Sequence, residues 1–217
     1  MPNQSSPSNL PDSRKRIVPV RIPDSPPPSI VLLHGTLSGP WVFRSLVREL
    51  HRHGYQAYPL SYGHFGTADL SLCVRDVAHQ IRRQLPGSQE FIIIGHSLGG
   101  LIGLRLARHP DFQSRISGLI GLGAAYLGVP PHPWWNMKRY LLPLLGPAFH
   151  QLVRHRPQPP QLPDTPIFSV VSPTDQVVPG WSSRLGDITE VDKVKHSHLP
   201  RCNVEVLDII HRIVRNT

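Results

Sequence analysis

Apolar residues along this chain fall into two patterns that take turns. Nearly uninterrupted apolar runs at residues 29–33 (SIVLL), 91–94 (FIII), 116–122 (ISGLIGL) and 167–171 (IFSVV) have the length and character of strands buried on both faces. Between them lie segments whose apolar residues return at helical spacing. Residues 41–53 carry Phe43, Leu46, Val47 and Leu50 on one face and stop at Gly54; residues 68–84 carry Leu70, Val74, Val77 and Ile81. Residues 98–109 carry Leu98, Leu101, Ile102, Leu104 and Leu106, and a last helix, capped near Asn203, packs through Val206, Leu207, Ile210 and Val214. Two weaker strands are expected at 56–60 and 188–194. Buried strands alternating with amphipathic helices predict an α/β fold, a mostly parallel sheet with helices on both faces, within one domain over 29–217.

Two segments break this rhythm. Residues 1–28 hold eight prolines among Ser, Asn and the basic cluster 14–16, and read as a flexible arm in which 16–22 (RIVPVRI) could form at most an edge strand. Residues 123–166 are too rich in proline for regular core helices, so a lid of short kinked helices is expected as an insertion over about 124–165. Trp134, Trp135, Leu141 and Phe149 are its candidate substrate-contacting residues. Between Asp111 and Asp164 no acidic residue occurs, while Arg115, Lys138, Arg139, Arg154 and Arg156 do. An apolar and cationic lid suits peripheral contact with an anionic membrane.

Charge and composition narrow the field only a little. The formal net charge is +9 across 217 residues. No zinc-finger spacing, aromatic RNA-binding strand or long basic helix accompanies it, so a nucleic-acid partner is not expected. Cys73 and Cys202 form no CxxC and no disulfide framework, and reduced thiols follow. The N-terminal stretch lacks the apolar core of a secretory signal and no run is long enough to span a bilayer, which together predict a soluble, cytoplasmic protein. His51, His53 and His211 show no metal-binding spacing, and neither metal nor cofactor is expected.

The chemistry concentrates where strands end. In FIIIGHSLGG, residues 91–100, a buried strand gives way to a helix through Gly95, Ser97 and Gly99. Such a turn brings backbones so close that side chains at the flanking positions would clash, and it lifts the serine above the sheet edge. Leu98 opens the helix, with a backbone N–H that has no intrahelical partner and can face a developing negative charge. At the end of SIVLL, His34-Gly35-Thr36 would place the Thr36 N–H opposite the same serine. A serine hydroxyl needs an imidazole to take its proton, and the imidazole needs a carboxylate to fix its tautomer. Ser97, Asp175 and His198 stand in the order Ser, Asp, His, each just beyond a predicted strand. His196 is the alternative base, since in an extended segment it shares a face with His198; Asp187 and Asp192 are alternative acids. His34 and His96 read as structural hydrogen-bonders.

With VLLHGTL, IIIGHSLGGL, SPTDQVVP and HSHL in view, residues 29–215 resemble the α/β-hydrolase superfamily. Within it the chain is similar to small bacterial triacylglycerol lipases and to esterases like the GPI-inositol deacylases. The resemblance implies a nucleophile at Ser97, an acid at Asp175, a base at His198 and an oxyanion hole from the N–H groups of Thr36 and Leu98. It implies a cofactor-free serine hydrolase acting on acyl or lipid-type esters through an acyl-enzyme. The same residues would serve an acyltransferase or a thioesterase, and a catalytically silent binding protein could keep the fold.

Overall fold

The computed structural model describes residues 27–130, 146–154 and 163–216. Six strands form one parallel sheet: β1 (Ser29–Leu33), β2 (Ala57–Leu60), β3 (Phe91–His96), β4 (Ile116–Leu122), β5 (Ile167–Val171) and β6 (Asp187–Glu190), in the order β2-β1-β3-β4-β5-β6. The longer helices are α1 (Arg44–Arg52), α2 (Leu70–Gln84), α3 (Leu98–Leu106), α4 (Pro147–Arg154) and α5 (Asn203–Asn216).

Strand periodicity explains why the core has two halves. Val31, Leu33, Phe91, Ile93 and Leu119 point to one face, where Val77, Ile81, Leu101 and Ile102 of α2 and α3 cover them. Ile30, Leu32, Ile92, Ile94 and Ile120 point to the other, beneath Leu46 and Leu50 of α1 and Val206, Leu207 and Ile210 of α5. A strand covered on both sides has little room for a polar residue without a partner, which is why these runs are nearly all apolar.

The strand order also fixes where a site can form. After β1 the chain moves outward to β2, then returns across β1 to lay down β3 and continues toward β6. The direction of winding therefore reverses between β1 and β3, and open parallel sheets bind ligands outside the carboxyl ends of the strands at such a reversal. His34-Gly35-Thr36 and His96-Ser97 leave the sheet there.

Most expected elements are found near their predicted bounds, and the exceptions have local causes. Residues 40–43 form a 3₁₀ turn before α1, because Gly39-Pro40 sets a separate start. Helix α2 begins at Leu70, after Asp69 accepts the Ser71 N–H as its cap. β6 ends at Glu190 instead of 194; its residues are largely exposed, and Lys193 takes a positive φ of 53° that an extended strand does not allow. Cys73 is buried in the α2 stripe, and burial pushes its thiol up to about 11, in keeping with a packed residue.

The arm and its possible edge strand over 16–22 lie outside the described residues, as do Trp134, Trp135 and Leu141 of the expected lid. Phe149 is described, on α4. This helix is tied to the start of α2: Gln151 accepts the Leu70 N–H at 2.8 Å and donates to Asp69 Oδ2 at 2.6 Å, while the Ala148 N–H reaches the Thr67 carbonyl. Among the described residues no helix is long and apolar enough to cross a membrane.

Candidate active site

Ser97 sits at φ 52° and ψ −118°, a backbone conformation that L-residues avoid, between the last residue of β3 and the first of α3. The turn can be this tight because of its glycines. A side chain at Gly99 would begin 2.0 Å from the Leu33 carbonyl oxygen, and one at Gly95 would begin 2.4 Å from the Gly100 nitrogen. The turn is held by its own backbone bonds: the Ser97 N–H donates to Leu122, and the Ser97 carbonyl accepts from Gly100 and Ala125. Strain at Ser97 is thus over-determined by surrounding contacts, as stored strain must be. The residue remains partly exposed between buried neighbours.

The β1 loop closes against this elbow. A Cβ at Gly35 would stand 3.0 Å from Ser97 Cβ, and one at Gly66, in the loop after β2, would stand 3.4 Å from both Thr36 Cα and Leu98 Cδ2. Thr36 and Leu98, chosen from the sequence as N–H donors, therefore both lie against Gly66. Leu98 is the first residue of α3, where backbone N–H groups lack helical acceptors.

Asp175 follows β5 and is almost wholly buried. Its Oδ1 accepts the N–H groups of Val177 at 2.8 Å and Val178 at 3.0 Å, and its Oδ2 accepts Nδ1–H of His196 at 2.7 Å. Burial alone would raise this carboxyl, but the bonds from His196 and the two backbone N–H groups outweigh it and hold the acid below its ordinary value. The alternative acids point elsewhere. Asp187 pairs with Arg212 at 2.7 Å, and Asp192 lies exposed beside Lys193.

The partner of Asp175 is His196, where the sequence expectation was His198. That expectation assumed an extended segment, in which residues two apart share a face. His196–Arg201 is a 3₁₀ turn, and with three residues per turn positions two apart point in different directions. His198 lies on the exposed side, its N–H bonded to the Lys195 carbonyl.

Two further residues border the pair: Gly123, which the sequence pattern did not single out, and His96, which it reads as a structural hydrogen-bonder. Gly123, directly after β4, has a φ of 52°, and a Cβ there would lie 2.9 Å from Asp175 Oδ2 and 3.2 Å from His196 Nδ1. His96, the last residue of β3, places Nε2 3.1 Å from the His196 carbonyl oxygen, with the two rings 4.7 Å apart. A glycine ending an apolar strand is a weak signal for Gly123; His96 makes a structural hydrogen bond, as its place beside the serine suggests.

Among the described residues no group of three or more His, Cys, Asp and Glu side chains could hold a metal ion. What the arrangement shows is an imidazole held by a buried carboxylate and a serine in a strained strand-to-helix turn.

Comparisons with known proteins bear on the fold and the family. Over 111 residues the chain is 33% identical to a pimeloyl-[acyl-carrier protein] methyl ester esterase of Aromatoleum aromaticum; the match covers 49% of this chain and 43% of that relative. Among solved structures, a methylesterase from Arabidopsis superposes with a TM-score of 0.63 at 16% identity, covering 88% of this chain and all of that one. A pyrethroid hydrolase from Sphingobium faniae gives 0.59 at 22% identity, covering 85% of this chain and 97% of that one. The family model described as alpha/beta hydrolase fold matches residues 28–184, and the chain belongs to that family.

Proposed function

We propose that the protein is a serine hydrolase of carboxylic esters, with Ser97 as nucleophile, His196 as base, Asp175 as acid and the N–H groups of Thr36 and Leu98 as oxyanion donors. The observation that carries this reading is the 2.7 Å bond from His196 to a buried Asp175 at the sheet edge where the strained Ser97 stands. With Nδ1 donating to Asp175, Nε2 is the nitrogen able to accept a proton. Ser97 Oγ attacks the ester carbonyl carbon as its proton passes to His196 Nε2. The oxyanion takes hydrogen bonds from Thr36 and Leu98, the C–O bond to the alcohol breaks, and His196 returns the proton to the departing alkoxide. Water, deprotonated by the same nitrogen, then releases the acid and restores the serine.

The surroundings favour an apolar ester. Eight large apolar side chains are exposed among the described residues, and five of them, Leu37, Trp41, Phe65, Val177 and Trp181, lie on the segments that follow β1, β2 and β5. Trp41 and Phe65 touch, with ring centroids 5.8 Å apart, and the Ser38 N–H donates to the Phe65 carbonyl. Leu37 and Phe65 both hold positive φ, at 55° and 61°, a cost that bulky residues bear chiefly at functional places. Ester hydrolysis also matches what the A. aromaticum relative is named for. Labelling by a serine-directed fluorophosphonate, with hydrolysis of p-nitrophenyl esters of increasing chain length, tests the proposal. Labelling should vanish in Ser97→Ala, and hydrolysis should favour longer acyl chains; a labelled or fully active Ser97→Ala would overturn it.

A further inference from the structure

We infer that His96 is a positioning residue for the base: it ties the main chain of His196 to the nucleophile elbow and so fixes where the His196 ring presents Nε2. The inference rests on the triad proposed above. Nδ1 of His196 is anchored to Asp175, which sets one end of the ring, yet a side chain held only at its tip can swing with its own backbone. That backbone opens a short 3₁₀ turn, anchored through Leu199, that lies beyond the last, largely exposed strand. A second anchor is needed at the main chain, and His96 supplies one.

The protonation state of His96 follows from its partners. The His196 carbonyl oxygen can only accept, so Nε2 of His96, 3.1 Å away, carries the hydrogen. Burial, with the neighbouring His196 adding to it, pushes the His96 imidazolium down to about 3, so the ring is neutral and Nδ1 is bare. Nδ1 faces the Gly35 backbone, where a Cβ would lie 3.3 Å from it, and has no hydrogen-bond partner among the described residues. A neutral ring suits the place. A cation this close to His196 would oppose the imidazolium that forms when Ser97 is deprotonated, whereas a neutral donor holds the carbonyl without that repulsion.

His96 is also joined by one peptide bond to Ser97, and Gly35 lies against both. One ring therefore links the nucleophile's backbone, the oxyanion loop and the base's backbone. Proton transfer between Ser97 and His196 depends steeply on their separation, and a displacement of about 1 Å can cost roughly 100-fold in rate.

The test compares His96→Phe, His96→Met and His96→Gln with wild type and Ser97→Ala, using p-nitrophenyl acetate and circular dichroism. Glutamine keeps an N–H donor at similar reach; Phe and Met fill the space without one. The expected result is a kcat roughly 10–100-fold lower in the folded Phe or Met variant, with KM little changed, and recovery of most of kcat in His96→Gln. A folded Phe or Met variant with wild-type kcat, or a folded Gln variant as slow as they are, overturns the role of His96. Activity persisting in Ser97→Ala would instead overturn the triad itself, so the two failures are told apart.

Discussion

Two histidines lie two positions apart, and only His196 meets the carboxylate, at 2.7 Å. His196→Ala should lower turnover on the order of 10⁶-fold, as loss of the base does in such triads, and Asp175→Ala nearer 10⁴-fold. His198→Ala should keep most of the activity, since its side chain is exposed and its bond to Lys195 is made by the backbone. Steady-state kinetics on one soluble ester decide the matter, and a dead His198 variant beside an active His196 variant would reverse the assignment. Gly123 gives a subtler test at the same scale. Its Cβ would crowd both Asp175 Oδ2 and His196 Nδ1, and its φ of 52° disfavours any side chain. Gly123→Ala should separate acid from base and cost roughly 100-fold in kcat while the protein still folds; wild-type kinetics would show that the pair tolerates the intrusion.

At the scale of elements, the strand-turn-helix unit from β3 to α3 holds Ser97 in a strained backbone conformation. Residues in such sparsely populated conformations cost about 1–3 kcal/mol each, and glycine relieves that cost while giving back about 0.5–1 kcal/mol in chain entropy. Ser97→Gly should therefore be inactive yet melt roughly 2–4 °C higher, from a net gain near 1 kcal/mol; a lower melting temperature would mean the elbow is unstrained or the hydroxyl stabilises it. This unit was also the most legible in the sequence, because FIII followed by GHSLGG allows few alternatives: an apolar run, glycines where backbones meet, then helical spacing. Asp175 was legible for a related reason, standing just past an apolar run that ends at Val171. The choice between His196 and His198 was not, since it turns on whether the segment is extended or 3₁₀, and a half-exposed edge strand leaves no apolar signature to mark where it stops. Gly123 escaped notice, and the partner of His96 was not legible, because both depend on what the fold brings to them. His96 meets His196 across 100 positions of sequence, a distance no local pattern spans.

Taken as a whole, the molecule keeps two histidines, His34 and His96, inside the core at the switch between β1 and β3, and this couples its stability to pH. Burial lowers the affinity of both for protons; for His96 the value falls from 6.5 to about 3. Above pH 6.5 the His96 ring is neutral in folded and unfolded chains alike and contributes no pH dependence. Below 6.5 the unfolded chain gains a proton at this residue that the folded chain refuses, so folding stability falls as pH falls, by about 1.4 kcal/mol per unit, until the folded ring itself titrates near 3. Between pH 7 and pH 5 His96 alone should thus remove about 2 kcal/mol, with His34 adding to the same loss. Asp175 has the same sign, but its carboxyl lies below 3.8 in the folded chain, so its share enters only in more acid solution. His96→Gln keeps the hydrogen-bond donor and deletes the titration. Its urea midpoint should fall less than that of wild type between pH 7 and pH 5, by the equivalent of about 2 kcal/mol, with the loss due to His34 remaining. Parallel losses in the two proteins would mean that the His96 ring takes up a proton in the folded state, and with it that the neutral anchor inferred for His196 is not what holds the base.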